Sequence, residues 1–328
     1  MPVLSTVWQD IVQLRPRYLR ESVNSNPEST WNTYQDSDGD NIGFESLLFV
    51  QFEFIQSACR RVKLTKNAFI GEDGQSGIIH ELVWSALNYM QMTDEQAESW
   101  NADPNQFIAD EEDDSCSFNV RIAALDILLT LVDNYESRTL QTLSLSVNQV
   151  MTDSLNDKAN GHPSWWKAQE SSLLAVGLMS EDICDAIKNG ESSPINVVAL
   201  FDHVVLANLS AHDIPFLQGR SFIFASQFAP ILPVNLAAQY VSAAVDAILN
   251  AQSAVVKVSA LKALNNFNQY LDKEYLAPHQ RAILQGIAPL IEITTEETLT
   301  LIFRTLSTTS KVNSRKLESC RRCSQNEN

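Results

Sequence analysis

Apolar residues recur along most of this chain at the spacing of one helix face. Phe44, Leu47, Leu48, Phe52 and Ile55 fall at i, i+3, i+4, i+8 and i+11, a broad stripe on one helix. Ile79, Leu82, Val83, Ala86, Leu87 and Met90 repeat the pattern. Val3 to Arg20 reads as a first helix. Others are predicted near 116–134, 137–156, 165–188, 195–209, 215–229, 234–249, 254–271, 278–293 and 295–309. The breaks coincide with turn-forming residues: Gly161-His162-Pro163, Asn189-Gly190, Pro215, Pro230-Ile231-Leu232-Pro233 and Pro278. Convincing strand alternation is absent, and only 10 glycines in 328 residues disfavour a turn-rich β architecture.

Two of these helices share a pattern. Asn119-Val120-Arg121-Ile122-Ala123-Ala124-Leu125-Asp126-Ile127-Leu128 aligns with Val255-Val256-Lys257-Val258-Ser259-Ala260-Leu261-Lys262-Ala263-Leu264. The offset corresponds to three repeats of about 45 residues, the period of two-helix HEAT units. Small residues at Ala123/Ala124 and Ser259/Ala260 predict close helix approach, and Arg121 and Lys257 are expected at equivalent inner positions. The expected fold is therefore all-α: an α-solenoid, or superhelix, of HEAT-like antiparallel helix pairs, each burying its apolar face against its neighbours.

Charge divides the array. From Asp94 to Asp114 there are nine Asp or Glu residues and no Lys or Arg, ending in Asp110-Glu111-Glu112-Asp113-Asp114. Mutual repulsion among adjacent carboxylates predicts an extended, solvated connection. The expected organisation is HEAT-like repeats over 1–93, the first one partial, an acidic inter-repeat loop over 94–114, and further repeats over 115–310. A tail at 311–328, with five basic and two acidic residues, is predicted to be disordered. No capping repeat is recognisable at either end, as expected of a segment of a longer array.

The candidate protein-binding residues are Asp103, Asp110, Glu111, Glu112, Asp113 and Asp114, which would attract a Lys- or Arg-rich surface. The alternative is a solvated connection without a partner. A net charge of −17 disfavours nucleic acid and anionic membrane as partners and favours basic proteins. Five scattered cysteines make no disulfide framework, so a reducing compartment, cytosolic or nuclear, is expected. No apolar run is long enough to span a membrane, and Met1-Pro2-Val3-Leu4 lacks signal-peptide features.

Catalytic chemistry is not expected. Five histidines lack metal-ligand spacing, Cys320-x-x-Cys323 has no second pair for zinc, and no nucleophile–base set is recognisable. Neither a metal nor a cofactor is predicted. Asp36-Ser37-Asp38-Gly39-Asp40 starts like a calcium loop, but Asn41 and Leu47 stand where Gly and Glu are required, so a turn and helix cap is expected. Gly71 to Gly77 has no Walker lysine and reads as a flexible inter-helix loop. Trp165-Trp166 is expected to pack between repeats, with an exposed aromatic dock as the alternative.

Several motifs together resemble the importin-β (karyopherin-β) family of nuclear transport receptors. They are Tyr89-Met90-Gln91-Met92-Thr93, Trp100, Asp103-Pro104-Asn105-Gln106-Phe107 and the acidic run after them. Asp36-Ser37-Asp38-Gly39 with Gly43-Phe44-Glu45, the Val120 to Ala124 helix and Trp165-Trp166-Lys167 narrow the likeness to one branch, over about residues 1 to 310. The resemblance implies a central segment of a longer import receptor that binds basic cargo such as histones or ribosomal proteins. It also implies contacts with nucleoporins, release by Ran-GTP, and shuttling between cytoplasm and nucleus. A structural HEAT-repeat adaptor with no transport role is the alternative; it would share the repeats but not the block from Tyr89 to Phe107.

Overall fold

A computed structural model describes residues 2–24, 34–37, 41–73, 77–112, 119–292, 298–305 and 307, without the side chains of 41, 111, 112, 273 and 274. The chain is all-α and HEAT-like, as the periodicity predicts. It opens with α1 (Pro2–Tyr18), a two-residue ladder β1 (Tyr34–Gln35) and β2 (Asn41–Ile42), then α2 (Phe44–Cys59), α3 (Val62–Ile70) and α4 (Ile79–Tyr89). Next come α5 (Asp94–Ala102), α6 (Pro104–Glu112), α7 (Val120–Ala159), α8 (Trp165–Leu178) and α9 (Ser180–Lys188). The remainder is α10 (Val197–Leu200), α11 (Leu206–Leu209), α12 (Pro215–Gln227), α13 (Val234–Asn250), α14 (Ala254–Tyr270), α15 (Lys273–Leu276) and α16 (Gln280–Ile291), with a further helical stretch at 298–305.

The helices form two compact units. The first comprises Met1–Glu98, Asp114–Ala175 and Ser193–Asn196; the second comprises Ser99–Asp113, Val176–Ser192 and Val197–Asn328. In the first unit α2 and α4 both pack on α7, and α1 packs on α2 and α4. The predicted pair 116–134 and 137–156 is present as two arms of α7 meeting at Tyr135, whose φ of −141° and ψ of 34° interrupt the helix. Thr139 restores the broken ladder, its Oγ1 donating to the Leu131 carbonyl at 2.9 Å and the Tyr135 carbonyl at 3.2 Å. In the second unit α14 packs on both α12 and α13, and α16 covers α13. A Cβ at Gly219 of α12 would come within 2.6 Å of the Ser259 hydroxyl of α14, so the small residue sets this close approach. Ala123, Ala124, Ser259 and Ala260 are all buried, as expected; Arg121 is buried too, whereas Lys257 is only half-buried.

The core of the first unit centres on aromatic rings. Tyr89 lies 4.9 Å from Tyr18 and 5.1 Å from Phe52, and its hydroxyl donates to the Ile11 carbonyl at 2.7 Å. Burial raises the pKa of both Tyr89 and Tyr18 above the ordinary tyrosine value. The folded chain therefore keeps these protons at a pH where the unfolded chain has released them. The resulting stabilisation is complete below the ordinary tyrosine value and is lost as pH climbs through the raised folded values. Tyr89→Phe is expected to cost about 1 kcal/mol at neutral pH through the lost hydrogen bond. It should also flatten the decline in melting temperature above pH about 10. An alkaline slope identical to that of the parent counts against a protonated, buried Tyr89.

Candidate protein-binding surface

Where repulsion predicts a loop over 94–114, the chain forms α5 and α6 instead. The physical reason is local capping. Thr93 and Gln96 form a reciprocal capping box: the Gln96 amide donates to Thr93 Oγ1 at 3.1 Å, and the Thr93 amide to Gln96 Oε1 at 3.0 Å. Asp94 and Glu95 sit in the first turn of α5, where the helix dipole favours carboxylates. Asp103 precedes Pro104 at the first position of α6, and Asp103 Oδ1 accepts from the Asn105 amide and from Asn105 Nδ2, both at 2.9 Å.

The start of α5 is pinned within the first unit. Lys167 Nζ donates to Asp94 Oδ1 and to the Val23 carbonyl, each at 2.5 Å. Val23 closes a π-turn, Leu19–Val23, that follows Pro16 inside α1. The Lys167 side chain is 2 % exposed and that of Asp94 38 %. Burial lowers the Lys167 pKa, and Asp94 works in the opposite direction. Gln96 Nε2 also reaches Asn119 Oδ1 at 3.3 Å, the oxygen that caps α7 by accepting from the Arg121 amide at 3.0 Å.

A second charged group lies deeper. Arg121 meets Glu170 in a two-pronged pair, Nη1 to Oε2 and Nη2 to Oε1, both 2.8 Å, with each side chain 1 % exposed. Arg121 Nη1 also donates to the Met90 carbonyl at 2.5 Å. The Tyr89 to Thr93 block, the Val120 helix and Trp165-Trp166-Lys167 are thus parts of one assembly. Met90 supplies a carbonyl, Arg121 and Lys167 supply cations, and Glu170 and Asp94 supply the anions. α8 buries polar residues along with apolar ones: Lys167, Gln169, Glu170, Ser171 and Ser172 are inside together with Leu173, Leu174, Ala175 and Val176, while Trp165 and Trp166 are half-buried. Lys158 Nζ lies 4.2 Å from the centroid of the Trp165 ring.

In the second unit, Trp100 is buried against Phe107 and Phe216, with centroids 5.3 and 6.0 Å away. Trp100 Nε1 donates to Asp110 Oδ2 at 2.7 Å, and Gln106 Nε2 to Asp110 Oδ1 at 2.7 Å. Thr298 Oγ1 donates to Asn105 Oδ1 at 2.8 Å, joining α6 to the stretch 298–305. The Asp-Pro-x-x-Phe sequence is therefore a helix start with two inward anchors, Asn105 and Phe107.

The proposed acidic residues consequently differ in their surroundings. Asp103 is exposed and caps α6, while Asp110 is half-buried and holds the Trp100 indole. Glu111 and Glu112 have their backbone in α6, and Asp113, Asp114 and the tail 311–328 with Cys320 and Cys323 lie outside the described residues, as do Asp38, Gly39 and Asp40. Glu95 and Glu98, not singled out from the sequence, are exposed on α5 three residues apart. The Thr93-x-x-Gln96 capping pattern is the signal that places them on a helix. Among the described residues no group of three His, Cys, Asp or Glu side chains could hold a metal ion. Burial pushes the Cys59 thiol up to about 12 and the Cys184 thiol up to about 11, which keeps both protonated and poorly nucleophilic. The described residues contain no helix long and apolar enough to cross a membrane.

Known proteins are similar to this chain in sequence. Importin-9 of Drosophila melanogaster is 26 % identical over 318 residues, covering 93 % of this chain and 30 % of the relative. Importin subunit beta-5 of Schizosaccharomyces pombe is 25 % identical over 313 residues, covering 93 % of this chain and 29 % of the relative. The chain thus spans about three tenths of the length of these relatives. A family model of importin-9 central HEAT repeats matches residues 73–316, which takes in the capped acidic helices, the Arg121–Glu170 pair and Lys167. The chain belongs to the importin-9 central HEAT-repeat family, within the importin-β superfamily whose motifs its sequence carries.

Proposed function

We propose that this chain is the central part of a nuclear import receptor that binds basic protein cargo, histones and ribosomal proteins among them. Cargo binding is regulated by Ran-GTP, and the receptor shuttles between cytoplasm and nucleus through contacts with nucleoporins. The observation that carries the proposal is the family match over 73–316 together with relatives that are themselves importins. The net charge of −17 and the solvent-facing carboxylates Glu95, Glu98 and Asp103 support a basic partner. The work is reversible binding, so the chain needs surface and charge where an enzyme needs an active centre.

Immobilised chain is expected to retain core histones or ribosomal proteins at low salt. Retention should fall steeply as ionic strength rises and the Debye length shrinks from about 10 Å at 0.1 M towards about 3 Å at 1 M. Glu95→Gln combined with Glu98→Gln should weaken retention further. Retention that is insensitive to salt, or none in the absence of Ran-GTP, would sink the proposal.

A further inference from the structure

The second unit contains a groove of about 500 Å³ where the ends of three helices meet. Leu178, Gln227 and Tyr270 all line it, and each is the last residue of its helix, α8, α12 and α14. A helix C-terminus carries a partial charge of about −0.5, so three of them create a negative field. Glu181 and Asp185 of α9 add two carboxylates at the rim. The N-terminus of α9 also opens here, but Asp182 in its first turn offsets that positive end. Lys188 lies 3.7 Å from Asp185, with side chains 48 % and 73 % exposed, a solvent-screened pair that an incoming cation can replace.

The remaining lining is suited to a peptide backbone. Gln227, Asn266 and Gln269 each present an amide with both donor and acceptor capacity. Asn266 Nδ2 donates to Ser226 Oγ at 3.0 Å, which fixes that amide at the wall. Gly177 makes room for Gln227: a Cβ there would come within 2.2 Å of the Gln227 Oε1. The exposed Tyr270 ring can cover the aliphatic stem of a lysine or arginine. Phosphate backbones are repelled by the same field that attracts ammonium and guanidinium groups.

We infer that this groove binds an extended, lysine- or arginine-bearing peptide segment. The cation would sit between Glu181, Asp185 and the three helix ends, with the peptide backbone along the amides. The inference deepens the cargo reading and rests on it, since such a segment would belong to a basic cargo protein.

The test uses the full chain and a fluorescein-labelled peptide of about ten alternating lysines and threonines, followed by fluorescence anisotropy at physiological salt. The expected result is binding that weakens about tenfold in Glu181→Gln/Asp185→Asn and at least as much in Gln269→Lys. A version of the peptide with glutamine for lysine should bind weakly. Asp153→Asn/Asp157→Asn removes the same charge elsewhere and should change affinity by no more than about twofold. Absence of peptide binding, or equal losses in both double variants, overturns the groove. If basic proteins are still retained in that case, the transport proposal stands without it. Groove-dependent peptide binding with no retention of basic proteins keeps the groove and removes the cargo reading.

Discussion

Glu170→Ala is expected to destabilise the first unit by about 3–5 kcal/mol, the cost of stranding a buried cation. Arg121 would remain 1 % exposed with its two-pronged partner gone and only the Met90 carbonyl among the contacts described above. Arg121→Met leaves Glu170 in the same position and should cost a similar amount. The double variant Arg121→Met/Glu170→Leu should recover much of the loss, because neither residue then carries an uncompensated charge. A repeat array need not unfold in one step, so the appropriate measurement is hydrogen exchange of α7 and α8 amides together with a denaturant melt. If the effects of the two single changes are additive and each costs under about 1 kcal/mol, the buried pair does not hold the first unit together.

Trp100→Ala is expected to cost about 3–5 kcal/mol in the second unit. The indole is 1 % exposed, packs on Phe107 and Phe216, and donates to Asp110. Its removal leaves a cavity that rigid neighbouring helices fill only partly. Asp110→Asn should cost less, about 1–2 kcal/mol, since a half-buried amide retains an oxygen to accept the indole proton. Limited proteolysis should then cut within 99–112 much faster in Trp100→Ala than in the parent, with Asp110→Asn intermediate. Equal cutting rates would show that Trp100 does not anchor α6. The same experiment distinguishes an anchoring role for Asp110 from the proposed contact with a basic partner. Loss of cargo retention in Asp110→Asn without a change in proteolysis would make Asp110 a contact, whereas parallel changes make it an anchor.

Apolar spacing made the all-α architecture and most helix positions legible, down to the break between the two arms of α7. It also identified Ser259 as a site of close approach, which the packing of Gly219 against it bears out. The acidic stretch is helical over 94–102 and 104–112 where charge repulsion predicts a loop. Thr93-x-x-Gln96 and Asp103-Pro104 are short-range signals that fix where a helix begins, and here they outweigh repulsion among neighbouring carboxylates.

Other features were beyond reach of local pattern. Lys167 and Glu170 follow two tryptophans, yet it is the charged residues that are buried and the rings that are half-exposed. Their partners Asp94, Val23 and Arg121, and the Met90 carbonyl that Arg121 also reaches, come from elements far away along the chain. Likewise, no spacing rule brings the ends of α8, α12 and α14 to one groove. The sequence by itself determined the helical class, most helix positions and the sign of the charge, because those follow from composition and from residues within a few turns of one another. Only the tertiary structure decided which charges are paired in the interior and which face solvent, since burial depends on what distant helices place alongside each side chain.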